Sequence, residues 1–418
     1  MKSADTNPLT VLGLAMGFEE RGLSAQHEAM LACADHICGF PATLALLKKL
    51  PQTQTLIHKL LPLTLPLAAC MSDLEEKRSQ GQKIVCVAGG DPLFYGLGST
   101  LTRYFPPEML QILPAPSSLQ LACARLALPV HEVDMLSLHG RQATIALSQA
   151  LLTQKHLCLL LDDQHTAASV ARFLLSKGCH NYRLHIFCDL GRSRERAWHL
   201  SPEEASELEL TGSVTVILEC TEKHPRPYLG LEQEDIVDNM GYASSLSVRA
   251  TALALLAVQP EDTIWDIGSG SGAVALEAAS LARQGAVYAV EAQSDRASAI
   301  VRRAQKLGAC HLEVIQGSAP DCLEDLPAPH KIFVGGGLSQ DHGQKLLTAL
   351  CQRLQPGGRL VISCVLFSSF QTCLNTLKTL RWPLRILQVQ SSQARPLAHD
   401  LHFQAENPVF LLCAQRKA

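Results

Sequence analysis

Short apolar runs alternate with longer stretches of helical periodicity along almost the whole chain, and glycine, proline or Asp/Ser clusters separate them. Three α/β blocks follow from that pattern. In the first, about residues 8 to 112, "LTVLGLAMG" reads as a buried strand entering a glycine turn. "LSAQHEAMLACADHICGF" reads as a helix and then a short strand, and "KIVCVAGGDPLFYGLGSTLTRYF" as strand, turn, helix. In the second, about 113 to 220, "HLCLLLDDQHTAASVARFLLSKG" is strand, turn, helix with a glycine stop. "RLHIFCDLG" and "GSVTVILEC" supply two more strands. Pro225 and Pro227, set among charges, mark a linker. In the third, from about 228 to the end, the strands are "TIWDIGSG", "AVYAVEA", "LEVIQG", "KIFVGGG", "RLVISCVL" and "PVFLLCAQ". They alternate with the helices "SVRATALALLAV", "GAVALEAASLARQ", "SDRASAIVRRAQKLG" and "GQKLLTALCQRL". Such alternation predicts a mostly parallel sheet with helices on both faces.

Composition narrows the class. A chain of 418 residues is long for one core, so two or more domains are expected. With 47% hydrophobic and 18% charged residues it reads as globular, and a net charge of -3 gives no sign of nucleic-acid binding. The polar start "MKSADTNPLT" argues against a signal peptide, and the longest apolar runs are too short for a membrane span, so a cytoplasmic protein is expected. None of the fifteen cysteines forms a C-x-x-C pair. Most sit in apolar runs (Cys33, Cys86, Cys158, Cys188, Cys364) and read as buried free thiols, with zinc or disulfides as the alternatives. No resident metal is expected.

The third block carries the clearer chemistry. "DIGSGSG" sets Asp266, Gly268, Ser269, Gly270, Ser271 and Gly272 at the carboxyl end of its first strand, where doubly wound sheets bind ligands. Glu291 ends the next strand and can accept hydrogen bonds from two ribose hydroxyls. The layout suits a dinucleotide or S-adenosylmethionine. A dinucleotide turn is usually G-x-G-x-x-G facing a pyrophosphate, whereas this turn is acidic and suits a cofactor that is cationic and lacks phosphate. "GSAPD", with Ser318 and Ala319, follows the third strand and would border an adenine; "VGGG" ends the fourth and would face a substrate.

The wording of this block, from "YLGLEQEDIVDNMGYASSLSVRA" through "GSAPD" and "VGGG" to "NPVFLL", resembles the C-terminal half of the precorrin-6Y C5,15-methyltransferase (decarboxylating) family. In the first blocks, "AGGDPLFYGLG" resembles the Gly-Asp-Pro loop of the class III tetrapyrrole methyltransferases. "PAPSSLQLACARLALPVHEVDMLSLHGR" resembles the start of their second lobe, in the branch that forms the other half of the same family. The resemblance implies a two-lobed tetrapyrrole-methylase module at 8–220 (lobes about 8–112 and 113–220) and a Rossmann-like class I methyltransferase module at 228–418. It implies two S-adenosylmethionine sites: Gly89, Gly90, Asp91, Leu93, Ser117 and Ser118 in the first, and the glycine turn, Glu291, Ser318, Ala319 and Ser244 in the second. The implied substrate is a carboxylate-rich precorrin of cobalamin biosynthesis, methylated at C5 by the first module. The second would methylate C15 and promote loss of CO2 from the C12 acetate. A homo-oligomer is also implied.

Two departures stand out. Ser244 and Ser245 occupy the place of a family Thr-Lys pair, so the lysine is missing. The first glycine turn reads "GLAMGFEERGLS", with Gly13 and Gly17 but Ala15 between them, and suits packing and ligand contact equally. Candidate catalytic residues are His139 and Arg141 of "HGR", a proton acceptor and a carboxylate partner, and Arg249, which otherwise reads as a solvated helix residue. Two alternatives stay open: the same reactions on a cobalt-precorrin, whose metal belongs to the substrate, and a chain in which one module only binds substrate. A nicotinamide oxidoreductase fails on the turn pattern.

Overall fold

The structure is a computed structural model that describes residues 8–138, 143–162, 164–210, 212–236, 244–338 and 340–417. It divides into two compact units. One holds the chain up to Ser137 together with His156–Ala168 and Arg183–Glu219. The other holds Leu138–Lys155, Ser169–Tyr182 and the chain from Cys220 onward.

The first unit contains two five-stranded sheets. In one, β1 (Leu9–Leu14), β2 (His36–Gly39), β3 (Leu60–Pro62), β4 (Ile84–Gly89) and β5 (Leu110–Leu113) lie in the order β3-β2-β4-β1-β5, every pair parallel. Side chains alternate between two cores, as the two-residue period of a strand requires. Leu12, Leu14, Ile37, Val85 and Val87 fill one, and Leu9, Val11, Cys38, Ile84 and Cys86 the other. Burial on both faces explains why these strands read as unbroken apolar runs. The parallel arrangement brings the carboxyl ends of β4, β1 and β5 to one edge. The second sheet has β6 (Val133–Ser137), β7 (His156–Leu160), β8 (Tyr182–Cys188), β9 (Arg196–Leu200) and β10 (Val214–Cys220) in the order β6-β7-β10-β8-β9. It is mixed: β6 and β7 are parallel, while β7–β10 and β8–β9 are antiparallel.

The second unit is built on a seven-stranded sheet. Its strands are β11 (Thr263–Ile267), β12 (Ala286–Glu291), β13 (Leu312–Gln316), β14 (Lys331–Val334), β15 (Arg359–Cys364), β16 (Leu384–Val389) and β19 (Val409–Gln415), in the order β13-β12-β11-β14-β15-β19-β16. The first five are parallel, and β19 pairs antiparallel with both β15 and β16. Ile264, Val287 and Ala289 point to one face, under the helices Leu246–Leu256, Ala273–Leu281 and Ser294–Lys306. Trp265, Ile267, Tyr288 and Val290 point to the other, under the helices Gln340–Arg353 and Phe367–Leu380. A separate hairpin, β17 (Ser392–Leu397) with β18 (Asp400–Ala405), is exposed along its whole length.

The cysteines are free, and Cys86, Cys158, Cys188 and Cys364 are buried as their runs imply. Cys33 corrects that reading: it ends the helix Ala25–Cys33 and is exposed. Among the described residues no helix is long and apolar enough to cross a membrane.

Candidate active sites

In the first unit three loops meet at the carboxyl edge of β4, β1 and β5. Gly13 is where they touch: a Cβ there would lie 2.6 Å from the carbonyl oxygen of Gly90 and 2.7 Å from the amide nitrogen of Ala115. The amide of Gly90 in turn donates to the carbonyl of Leu14 at 2.6 Å. Gly90 has φ +71°, and the space beside its α-carbon is bounded by Pro116, Ser117 and the Met16 sulfur. Gly89 faces open space. Asp91 accepts from the amide of Leu93 at 2.8 Å, a local turn that presents Leu93 half exposed beside the equally exposed Tyr95. Gly89, Gly90, Asp91, Leu93, Ser117 and Ser118 are therefore grouped.

Ser117 has a second task. It caps the helix Ser118–Leu126: its hydroxyl accepts from the amide of Gln120, and the Gln120 side chain accepts from the amide of Ser117 at 2.8 Å. Its side chain is buried in that reciprocal pair. Ser117→Ala is expected to lower stability by about 1 kcal/mol, while Ser117→Asp, which restores the cap, holds it near wild type. Urea unfolding measures both, and an unchanged midpoint in Ser117→Ala would show the cap to be idle.

The altered first turn packs against the loop that follows β8. Gly17 has φ +77°, and a Cβ there would lie 2.2 Å from the carbonyl oxygen of Gly191. Arg21 donates to that same carbonyl at 2.8 Å. Arg192 pairs with both Glu19 and Asp189, and the amide of Ser193 donates to Glu20. That amide holds the Glu20 carboxyl below its ordinary range. Arg125 does the same for Glu195, which also accepts from the amide of Gly191. The joint was not legible in the sequence, because its halves lie some 170 residues apart. The charges of "FEER" and "GRSRER" were its one visible signal. His139 and Arg141 lie outside the described residues.

In the second unit the glycine turn joins β11 to the helix Ala273–Leu281. Gly268, Gly270 and Gly272 all have positive φ (+67°, +57° and +77°), the region that side chains disfavour. Gly268 packs against Gly336 of the loop after β14, and Gly272 against Ile300. Gly270, between them, faces open space. Ser269 donates its hydroxyl to the carbonyl of Asp266 at 2.7 Å, and the carbonyl of Ser271 accepts from Arg303 at 2.9 Å.

Glu291, at the end of β12, is buried beside the turn. Its two carboxylate oxygens accept from the amides of Gly270 and Gln293, each at 2.9 Å. Each oxygen keeps a lone pair for another donor. Asp266 is 1% exposed. One of its oxygens accepts from the amide of Ala275 at 3.0 Å; the other is buried without a hydrogen-bond partner. Burial pushes this carboxyl up to about 7, against the pull of the Ala275 and Ser269 hydrogen bonds. Ser318 and Ala319 follow β13 at the same edge, Ser318 exposed and Ala319 buried.

Ser244 is exposed ahead of the helix Leu246–Leu256, and its carbonyl accepts from Arg249. Arg249 is buried rather than solvated, its guanidinium paired with Glu277. Among the described residues no cluster of His, Cys, Asp and Glu fits a metal ion. A cavity between the helices Gln340–Arg353 and Phe367–Leu380 is lined by Thr348, Thr372, Asn375 and Trp382 among others, and by none of the expected cofactor residues.

Comparison with known proteins matches both halves. Residues 12–205 fit the model of the tetrapyrrole (corrin/porphyrin) methylases, and residues 237–416 that of a precorrin methyltransferase domain. Precorrin-6Y C(5,15)-methyltransferase [decarboxylating] of a Sinorhizobium species is 31% identical over 303 residues, 72% of each chain. The Mycobacterium tuberculosis H37Rv protein of that name is 30% identical over 297 residues, 69% of this chain and 72% of its own. Among solved structures, the C-terminal domain of precorrin-6Y C5,15-methyltransferase from Rhodobacter capsulatus is 31% identical. It covers 46% of this chain and 99% of its own, with a TM-score of 0.40. At 31% identity over 72% of each chain, the Sinorhizobium relative shows that this chain belongs to the precorrin-6Y C(5,15)-methyltransferase (decarboxylating) family.

Proposed function

We propose that this chain methylates precorrin-6Y at C5 and C15 and decarboxylates the C12 acetate, which loses CO2 and becomes a methyl group, using S-adenosylmethionine at two separate sites. The proposal assigns C5 to a module at 8–220, and C15 with decarboxylation to a module at 228–418. The observation that carries it is the pairing, in one chain, of two glycine-rich carboxyl-edge loops with the relatives' shared name.

The second site fits the cofactor on its own geometry. Gly270 leaves room for close approach of a ligand to the backbone. Glu291 has lone pairs for ribose hydroxyls, and the unpartnered Asp266 oxygen is an acceptor in need of a donor. S-adenosylmethionine, when bound, supplies an electrophilic methyl group. The chain's part is to hold and orient. Gly268 and Gly272 fix the turn by packing, Glu291 ties it to β12, and the loop Gly335–Gly337 stands beside it on the substrate side. In the first site Gly89, Asp91 and Leu93 present the same kind of backbone cradle. Catalysis by positioning needs no protein nucleophile, since the reduced ring supplies the attacking carbon.

The test is mass spectrometry of the product from purified chain, S-adenosylmethionine and precorrin-6Y. A gain of two methyl groups with loss of one CO2 is expected. A single methylation without decarboxylation would favour a chain with one active module, and unchanged substrate would reject the reading. Calorimetry with S-adenosylhomocysteine should find two sites per chain.

A further inference from the structure

Arg249 and Glu277 form an ion pair that the chemistry above does not use. Their side chains are 3% and 1% exposed, with Nε of Arg249 2.9 Å from Oε1 of Glu277. The rest of the guanidinium is spent on backbone. One nitrogen donates to the carbonyl of Ser244 and another to the carbonyl of Leu231, both at 2.6 Å. Glu277 completes the loop by accepting from the amide of Leu231 at 3.0 Å.

The place of this cluster matters. The helix Leu246–Leu256 ends near the amino edge of the sheet, where Arg359 at the start of β15 donates to the carbonyl of Leu255. Eleven helical residues run about 16 Å, so the first turn of that helix lies toward the opposite, carboxyl edge. Glu277 sits on the helix that opens at Gly272, the end of the glycine turn. Arg249 thus grips Leu231 and Ser244, the two ends of the segment before its own helix, and Glu277 ties both to the helix of the cofactor turn.

Stability alone does not explain such a pair. A buried ion pair is often no better than apolar side chains of the same size, because desolvation offsets the attraction. What apolar side chains lack is direction: a planar fork aimed at two carbonyls and a carboxylate admits one geometry. We propose that Arg249 and Glu277 are positioning residues for the second site. They fix Leu231 and Ser244 relative to the glycine turn and so set how tightly that site holds its cofactor. Neither is assigned contact with the cofactor, and the inference rests on the cofactor reading of that site.

The test uses the full chain with S-adenosylhomocysteine calorimetry, thermal unfolding and steady-state kinetics. The double variant R249M/E277L keeps side-chain bulk and removes the directed bonds. It should unfold near the wild-type temperature, yet one of its two sites should bind about tenfold more weakly or worse, with the KM for S-adenosylmethionine raised in step. The other site is the internal control and should not move. Arg249→Lys, which keeps the charge on Glu277 but cannot reach Leu231 and Ser244 together, should lose affinity at the same site. Unchanged affinity at both sites in either folded variant would overturn the proposal. So would loss of the folded state in both variants, since the pair would then determine the fold rather than position the site. Wild-type chain that bound no S-adenosylhomocysteine would instead overturn the cofactor reading beneath it.

Discussion

Replacing Gly268 by alanine should abolish C15 methylation and decarboxylation while C5 methylation continues. Gly268 sits at φ +67°, and an alanine Cβ would lie 2.9 Å from the amide nitrogen and 3.0 Å from the α-carbon of Gly336. The left-handed backbone alone disfavours an L side chain by about 1–2 kcal/mol. The contact adds to this, because both neighbours are backbone: no side-chain end can swing aside. The turn must move, and its amides from Gly270 to Gly272 move with it. A displacement of about 1 Å in a positioning site is enough for a loss of about 100-fold in rate. Gly270→Ala is the informative contrast. It bears a similar φ of +57° but meets nothing within 4 Å. Its effect should fall on the KM for the cofactor, with less change in unfolding temperature than Gly268→Ala. Product mass spectrometry reads the outcome directly: one added methyl group and no lost CO2. Full double methylation by Gly268→Ala would show that the turn does not build the second site.

That turn was legible because its constraint is local. Three positive φ values in five residues leave glycine as the natural choice, and the spacing survives in the sequence. The strands β11 to β15 were legible for a related reason: burial on both faces writes itself as apolar runs. Where burial is absent, so is the signal. The hairpin of β17 and β18 is exposed on every residue, carries Pro396 in one strand, and is held by backbone pairing that leaves no pattern of side chains. The helix Phe367–Leu380 went unread as well: it starts on the exposed Phe367 and buries only Cys373 and Leu377 fully. Long-range partners are hidden in a different way. Arg249 reads in the sequence as a solvated helix residue, and only packing turns it inward on Glu277. In the sequence Gly17 suits packing and ligand contact equally, and only the approach of Gly191 shows the backbone that fills its empty side.

The second large effect is a pH dependence that one carboxyl carries. Asp266 is fully buried, and desolvation raises it from 3.8 to about 7. The folded chain therefore holds this proton more tightly than the unfolded chain does. Below about pH 4 both states are protonated, and the group contributes no pH dependence. Between about pH 4 and 7 the unfolded chain has released the proton while the folded chain keeps it, so stability falls as pH rises, by about 1.4 kcal/mol per unit. Above about pH 7 both are ionised and the loss levels off, at about 4 kcal/mol. Asp266→Asn keeps an oxygen for the amide of Ala275 and has no proton to lose. Urea unfolding of wild type and variant at a series of pH values isolates the effect. Carboxylates held low elsewhere, Glu75 and Glu195 among them, shift stability in the opposite sense but cancel in the difference. The variant's advantage should grow from pH 4 to pH 7 and then stay constant. A difference that is flat over that range would mean that the carboxyl is hydrated or partnered in solution. The same proton ties stability to function. A bound cation or hydrogen-bond donor at the free Asp266 oxygen favours the ionised form. Cofactor binding near pH 6 should therefore release a proton, seen as a binding heat that depends on the buffer, and Asp266→Asn should remove that dependence.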